Sequence, residues 1–232
     1  MTGLAIDTSG DVLSVALIHG SELHQFEVDA GHRHSEQLLE LVNAVINISR
    51  IDRTMINFVA CMRGPGSFTG LRIGMSAVKG LATALEIPFY AVSTFDCMAS
   101  SRSIWPGTVL TLIDAKQNRW YAAAFKDGRR ICNDIDADVR EIADILLKTG
   151  GTSPILVCGT DAPRARDIIA PMVPQLSLVV DPAHRRGASR ELATLAAARA
   201  ESGDRGETDE IGLEYLRKSE AEITRENTKR ER

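Results

Sequence analysis

Phe58-Val59-Ala60-Cys61-Met62-Arg63-Gly64-Pro65-Gly66-Ser67-Phe68-Thr69-Gly70-Leu71-Arg72-Ile73-Gly74 reads as one strand, one sharp turn and the opening of one helix. The run 58–62 is short and apolar, and Gly64-Pro65-Gly66 stops it. Ser67 or Thr69 can cap the free N–H groups of a helix that continues to about Leu85. A strand that feeds a helix through a glycine turn belongs to an α/β fold. Such a turn also offers N–H groups and the positive end of a helix to an anion. It has no Lys followed by Ser or Thr in phosphate-loop spacing and no GxGxxG, so a phosphate seat and a purely structural turn both stay open. On the helix, Gly70 and Gly74 share a face, with Ala77, Leu81 and Ala84 close to it. Small residues at this spacing let another backbone approach, so this face is expected to be a packing surface.

Outward from the motif, the chain shows strands and helices in a repeated order. Leu4 to Asp7 and Val12 to Ile18 read as strands around the turn Thr8-Ser9-Gly10-Asp11, and Glu22 to Val28 as a third. Ser35 to Ser49 reads as a helix capped by Ser35, and residues 88–92 as a strand after the motif helix. A break at 100–107 contains Trp105-Pro106-Gly107. Beyond it, Val109 to Asp114 and Trp120 to Phe125 are strands around Ala115-Lys116-Gln117-Asn118. Helices near 138–148, 164–170 and 189–200 and strands at 155–158 and 177–180 complete the pattern. Both halves open with a strand ending in Asp, a polar turn and a second strand, which suggests a duplicated unit. The expected division is 1–103, 104–206 and a charged segment 207–232, disordered beyond Arg217.

The chain has 232 residues with 44% hydrophobic content, enough for one large or two modest cores. No apolar run is long enough to span a bilayer, and the N-terminus meets Asp7 without a basic region, unlike a signal peptide. Cys61, Cys97, Cys132 and Cys158 are far apart, and Cys61 and Cys158 fall in apolar strands where a reduced, buried thiol is expected. The expected compartment is the cytosol. A net charge of −4 argues against a protein that grips nucleic acid unaided.

Catalytic constellations are incomplete. His32, His34 and Glu36 cluster before a helix, but a metal site needs three or four converging ligands and no second His pair follows. No Ser sits in a GxSxG elbow, and no Cys has thiol-protease flanks. Asp7 and Asp114 end the first strand of each half, where they either ligate a metal–phosphate or only shape their turns; Gly159-Thr160-Asp161-Ala162 is open to the same two readings. On helix 35–49, Leu38, Leu41, Val42 and Val45 form one stripe, and Leu39, Ile46 and Ile48 widen it. A helix on a sheet needs an apolar arc of only ~100°. The excess points to a second contact, and Leu38, Leu39, Val42, Val45 and Ile46, with Gly70, Gly74, Ala77 and Leu81, are the expected partner interface.

Leu4 to Leu17 (LAIDTSGDVLSVAL), His34-Ser35-Glu36-Gln37-Leu38-Leu39, the run Gly64 to Gly74 and Tyr215-Leu216-Arg217 together resemble the TsaB (YeaZ) family. The resemblance covers nearly the whole chain, and Gly64, Pro65, Gly66, Ser67, Thr69 and Arg72 are its motif residues. It implies a duplicated actin/hexokinase-like (ASKHA, ribonuclease H-like) α/β fold of two subdomains. It implies no catalysis and no cofactor of the chain's own, since the metal-binding histidine motif of the related catalytic subunit TsaD is missing here. The implied partners are TsaD, through a helical surface, and the ATPase TsaE, with a homodimer when alone and tRNA reached through the complex. The complex transfers a threonylcarbamoyl group to the adenosine beside the anticodon in tRNAs reading codons that begin with A; ATP and threonylcarbamoyl-adenylate are expected at partner subunits or at the interface. Two departures stand out. Cys158-Gly159-Thr160-Asp161 differs from the family's Gly-Asp-Gly turn, and residues 113–121 fit its Asp-Ala, basic, Tyr run only loosely. The rival class is a small-molecule kinase or peptidase of the same superfamily.

Overall fold

A computed structural model describes residues 1–149 and 153–216. Strands β1 (Thr2–Asp7), β2 (Val12–His19) and β3 (Glu22–Asp29) form an antiparallel meander. Strands β4 (Phe58–Gly64) and β5 (Phe89–Ser93) extend it in parallel from β1, giving the order β3-β2-β1-β4-β5. The second sheet repeats this arrangement. Strands β6 (Thr108–Asp114), β7 (Trp120–Lys126) and β8 (Arg129–Ala137) make its meander, and β9 (Ile155–Cys158) and β10 (Leu178–Val180) run parallel beyond β6. The helices repeat too: α1 (His34–Ser49) and α4 (Val139–Thr149) follow the meanders. Helices α2 (Phe68–Leu85) and α5 (Ala162–Ile169) follow the fourth strands, and α3 (Thr94–Ser100) and α6 (Ser189–Glu201) the fifth. The duplicated two-subdomain α/β fold is as the sequence and its resemblance implied.

Burial explains the pattern. The side chains of β1 alternate between two cores: Leu4 and Ile6 pack under α1 and α2, whereas Ala5 faces α6. With both faces covered, every residue of β1 is buried, which is why it reads as a continuous apolar run. Leu38, Val42, Val45 and Ile46 of α1 enter the same core as Met75 and Val78 of α2.

Two elements escaped the sequence reading. Strand β8 carries five charged or amide residues in nine, so its pairing with β7, not its composition, makes it a strand. Helix α3 is only seven residues long, its start capped by Ser93, whose Oγ accepts from the N–H of Asp96. Helix α1 starts one residue earlier than expected, with Arg33 at the cap and no side-chain cap bond; Ser35 lies inside the helix, because His34 is drawn into the core.

The expected split at 103/104 needs a correction at the level of packing. Helix α6, assigned by sequence order to the second half, lies on the first sheet, where Leu192, Ala193 and Ala196 meet Ala5, Ala16 and Tyr90. Helix α3 in turn gives Phe95 and Ala99 to a core with Val109, Phe125 and Leu156 of the second sheet. The halves therefore exchange their third helices. The physical cause is that the first sheet has two apolar faces, and α1 and α2 cover only one. Residues 207–216, expected as part of a separate segment, run back along β5 and α2: Glu207 N donates to Phe89 O, and Lys79 Nζ to the carbonyls of Asp209 and Ile211. Arg217 and the tail beyond it lie outside the described residues.

Candidate functional site

The glycine motif closes over the β1–β2 turn. Ser67 Oγ caps α2 by accepting from Gly70 N at 3.2 Å, as the sequence implied. Ser67 N donates to Ser9 O at 2.7 Å, and Thr8 Oγ1 donates to Gly70 O at 2.7 Å. A Cβ on Gly70 would stand 2.0 Å from Thr8 O, and one on Gly74 2.4 Å from Thr8 Oγ1. These glycines are buried. This corrects the expectation that they face a partner: the close backbone approach they permit is to the chain's own first turn. Gly64, at a φ of 126°, holds a conformation that a side chain would strain, and the chain near Glu214 presses against it.

The remaining predicted interface residues divide by exposure. Leu38, Val42, Val45 and Ile46 are spent on the internal core, which corrects their assignment to a partner. Leu39 stays 64% exposed, and Ala77 and Leu81 are half-buried at the edge of the core. The outward face of α2 carries Thr69, Ser76, Gly80, Thr83 and Ala84, all exposed, and a Cβ on Gly80 meets nothing within 4 Å. A stripe of small residues thus exists on α2, rotated away from the one that Gly70 and Gly74 suggested.

Arg72 and the C-terminal stretch form a cluster beside this face. The Arg72 guanidinium lies 3.8 Å over the Phe68 ring and donates from Nε to Tyr215 Oη at 3.2 Å. The Phe68 and Tyr215 rings are 5.1 Å apart. The motif segment and Tyr215, distant in sequence, meet here, while Leu216 packs against the core of Phe95, Val109 and Phe125. Glu214 N donates to Arg63 O, which brings Tyr215 into place.

Between the halves lies a cleft of about 430 Å³, bordered by both polar turns, Met98 and Tyr121. Asp7 lines this cleft, but both of its oxygens are engaged within the chain. Its Oδ1 accepts from Ser9 N at 2.9 Å and Ser9 Oγ at 2.7 Å, and its Oδ2 from Ala188 N at 2.9 Å, just before α6. The acid is a buried brace that ties the first turn to the exchanged helix. Asp114 accepts from Lys116 N at 2.8 Å and pairs with Lys116 and Arg164. Burial would raise its carboxyl, but the Lys116 bonds and the charges of Lys116 and Arg164 outweigh that and hold it below the ordinary range. Asp161, by contrast, is pushed up, first by burial and then by the neighbouring charge of Asp114. Gly159 must be a glycine there, because a Cβ would stand 1.9 Å from Leu112 O.

His32 borders the cleft and His34 is buried in the core, so the two do not converge. Among the described residues, no group of His, Cys, Asp or Glu could hold a metal ion. Burial drives the Cys61 and Cys158 thiols up to about 12, which keeps both neutral.

The TsaD family model, tRNA N6-adenosine threonylcarbamoyltransferase, matches residues 28–224. The chain belongs to this family, in its TsaB (YeaZ) group. The tRNA threonylcarbamoyladenosine biosynthesis protein TsaB of Bacillus subtilis is 26% identical over 96% of this chain and 96% of its own length. Escherichia coli TsaB is 37% identical over 53% of this chain and 54% of its own. A Pseudomonas aeruginosa YeaZ structure is similar with a TM-score of 0.74 at 25% identity, covering 93% of this chain and 99% of that one. The match to the transferase family model runs from within β3 through the second half of the chain. Among the described residues, no helix is long and apolar enough to cross a membrane.

Proposed function

We propose that this chain is a non-catalytic partner subunit in tRNA threonylcarbamoyladenosine biosynthesis, acting in the cytoplasm beside a TsaD-type transferase and a TsaE-type ATPase. The names of its relatives support the pathway. The observation that carries the non-catalytic part is Asp7. Here three internal donors engage both oxygens of Asp7, which leaves it about one of its four acceptor sites and makes it a structural brace before anything else. Ser67 N, which could have faced a phosphate, is bonded to Ser9 O.

The partner surface in this reading is the outward face of α2 (Ser76, Gly80 and Ala84) flanked by Leu39 of α1. One self-complementary face serving a homodimer and a heterodimer makes the two mutually exclusive. ATP and threonylcarbamoyl-adenylate act at the partners or at their junction with this chain. With a net charge of −4, the chain meets tRNA through the complex, with weak binding and a shallow salt slope on its own.

Depleting the protein in its native cell and measuring threonylcarbamoyladenosine in bulk tRNA tests the pathway. Unchanged modification refutes it. Capture of a TsaD-type protein on the tagged chain tests the pairing. Steady ATP hydrolysis by the isolated chain, abolished by Asp7→Asn, would return the reading to an enzyme of the superfamily.

A further inference from the structure

We propose that Arg72 anchors the partner surface and that the TsaD-type transferase meets it with a carboxylate side chain. This rests on the reading of the outer face of α2 as that surface, and it adds the chemistry that the partner must bring.

Arg72 is exposed, yet its guanidinium is held in one place. It lies 3.8 Å from the centre of the Phe68 ring, and its Nε donates to Tyr215 Oη at 3.2 Å. Tyr215 is itself fixed by the segment that carries it. Lys79 Nζ holds the carbonyls of Asp209 and Ile211, and Glu214 N donates to Arg63 O. What Arg72 lacks, among the described residues, is an acid. Glu214, beside Tyr215, pairs with Arg63 instead. Other exposed arginines have a carboxylate of their own, as Arg185 has Asp29 and Arg186 has Glu27. The terminal nitrogens of Arg72 are left to face outward contacts.

A planar guanidinium with both terminal nitrogens open matches the two oxygens of a carboxylate. Ordering a long side chain normally opposes binding, and Phe68 and Tyr215 have already ordered this one. The two rings remain 38% and 40% exposed. An arginine between exposed aromatic rings has the composition of an interface hot spot.

The anchor is continuous with the small-residue face. Phe68, Arg72, Ser76 and Gly80 are four residues apart and all exposed, so they follow one stripe along α2. The stripe is aromatic and cationic at its start and small farther on. A partner backbone that settles on Ser76 and Gly80 also covers Arg72 and takes it out of water. A covered charge without a counter-charge is costly, so the occupant must carry an acid at this end. The proposed function assigns the face to the transferase; a second copy of this chain is the other outcome of the test.

Titrating the purified TsaD-type protein of the same organism against the full chain, at low and high salt, decides the matter. Arg72→Gln removes the charge and keeps most of the side-chain length. It should weaken binding about tenfold or more and flatten the salt dependence of the affinity, with the melting temperature unchanged. Arg72→Lys keeps the charge without the fork and should fall between. Tyr215→Phe keeps the ring and frees Nε, so its loss should be smaller than that of Arg72→Gln. A folded Arg72→Gln with the parent's affinity and salt dependence overturns the anchor. If Gly80→Leu still abolishes pairing in the same assay, the α2 surface stands without it. Weakening of the homodimer alone, read by sizing chromatography, would make the occupant a second copy and overturn the transferase assignment. Parent-like binding by both variants, or no binding by the parent, removes the docking reading and the anchor together.

Discussion

Gly74 sits where Thr8 leaves no room, and that contact fixes its role. Gly74→Leu would drive carbons into the β1–β2 turn, where even a Cβ stands 2.4 Å from Thr8 Oγ1. Overpacking of this kind costs about 1–3 kcal/mol, and more when the obstacle cannot retreat. The variant should be destabilised by at least about 3 kcal/mol at that scale, read as a lost or strongly lowered denaturant midpoint. A folded Gly74→Leu with the parent midpoint would refute the packing account. Asp161 shows a residue-scale effect of opposite sign. Burial and the Asp114 charge raise its carboxyl above 3.8, so folding disfavours its charged form. For such a group the stabilising contribution is complete below the unfolded value and is lost as pH rises through the folded one. Asp161→Asn should therefore melt higher than the parent at pH 7, and the gap should close below pH 3.8. An equal or lower melting temperature at pH 7 would contradict this.

Helix α2 shows how an element serves two surfaces. Its inner face, through Gly70, Leu71, Gly74, Met75 and Val78, is consumed by the sheet and the first turn. Its outer face presents Ser76, Gly80 and Ala84 to solvent. Gly80→Leu adds a side chain into open space and replaces a poor helix former, so the fold should gain up to about 1 kcal/mol. The same change should abolish capture of a TsaD-type partner and any homodimer, measured by sizing chromatography beside thermal melting. A stable Gly80→Leu that still pairs would remove α2 from the docking surface without touching the fold.

At the scale of the whole molecule, the exchanged helices make the two halves one cooperative unit. A fragment of residues 1–103 lacks α6, so Ala5, Ala16 and Tyr90 lose the cover that Leu192, Ala193 and Ala196 supply. Such a fragment should be aggregated or loosely packed, while the full chain should unfold in one transition by both circular dichroism and fluorescence. An independently folded, cooperative 1–103 fragment would show that the exchange is incidental. Much of this architecture was legible: the strand ends at Asp7 and Asp114, the cap at Ser67 and the stripe Leu38, Val42 and Val45 stand where local pattern put them. Strand β8 and helix α3 were not, because one is polar and the other short, and both exist through long-range contacts.

The candidate site was legible as residues and illegible as geometry. Local sequence determined that a strand, a glycine turn and a helix occur at 58–85, that the unit is duplicated and that the family is that of TsaB. Helical periodicity places Gly70 and Gly74 on one face, but it does not say whether that face meets solvent or the chain's own first turn. Nor does a strand-ending Asp reveal that Ser9 and Ala188, the latter 181 residues away, will engage both of its oxygens. Local patterns fix what can form within one turn or one strand. Which surface is buried, and which acid is free, depends on contacts between distant segments, and only the tertiary structure sets those.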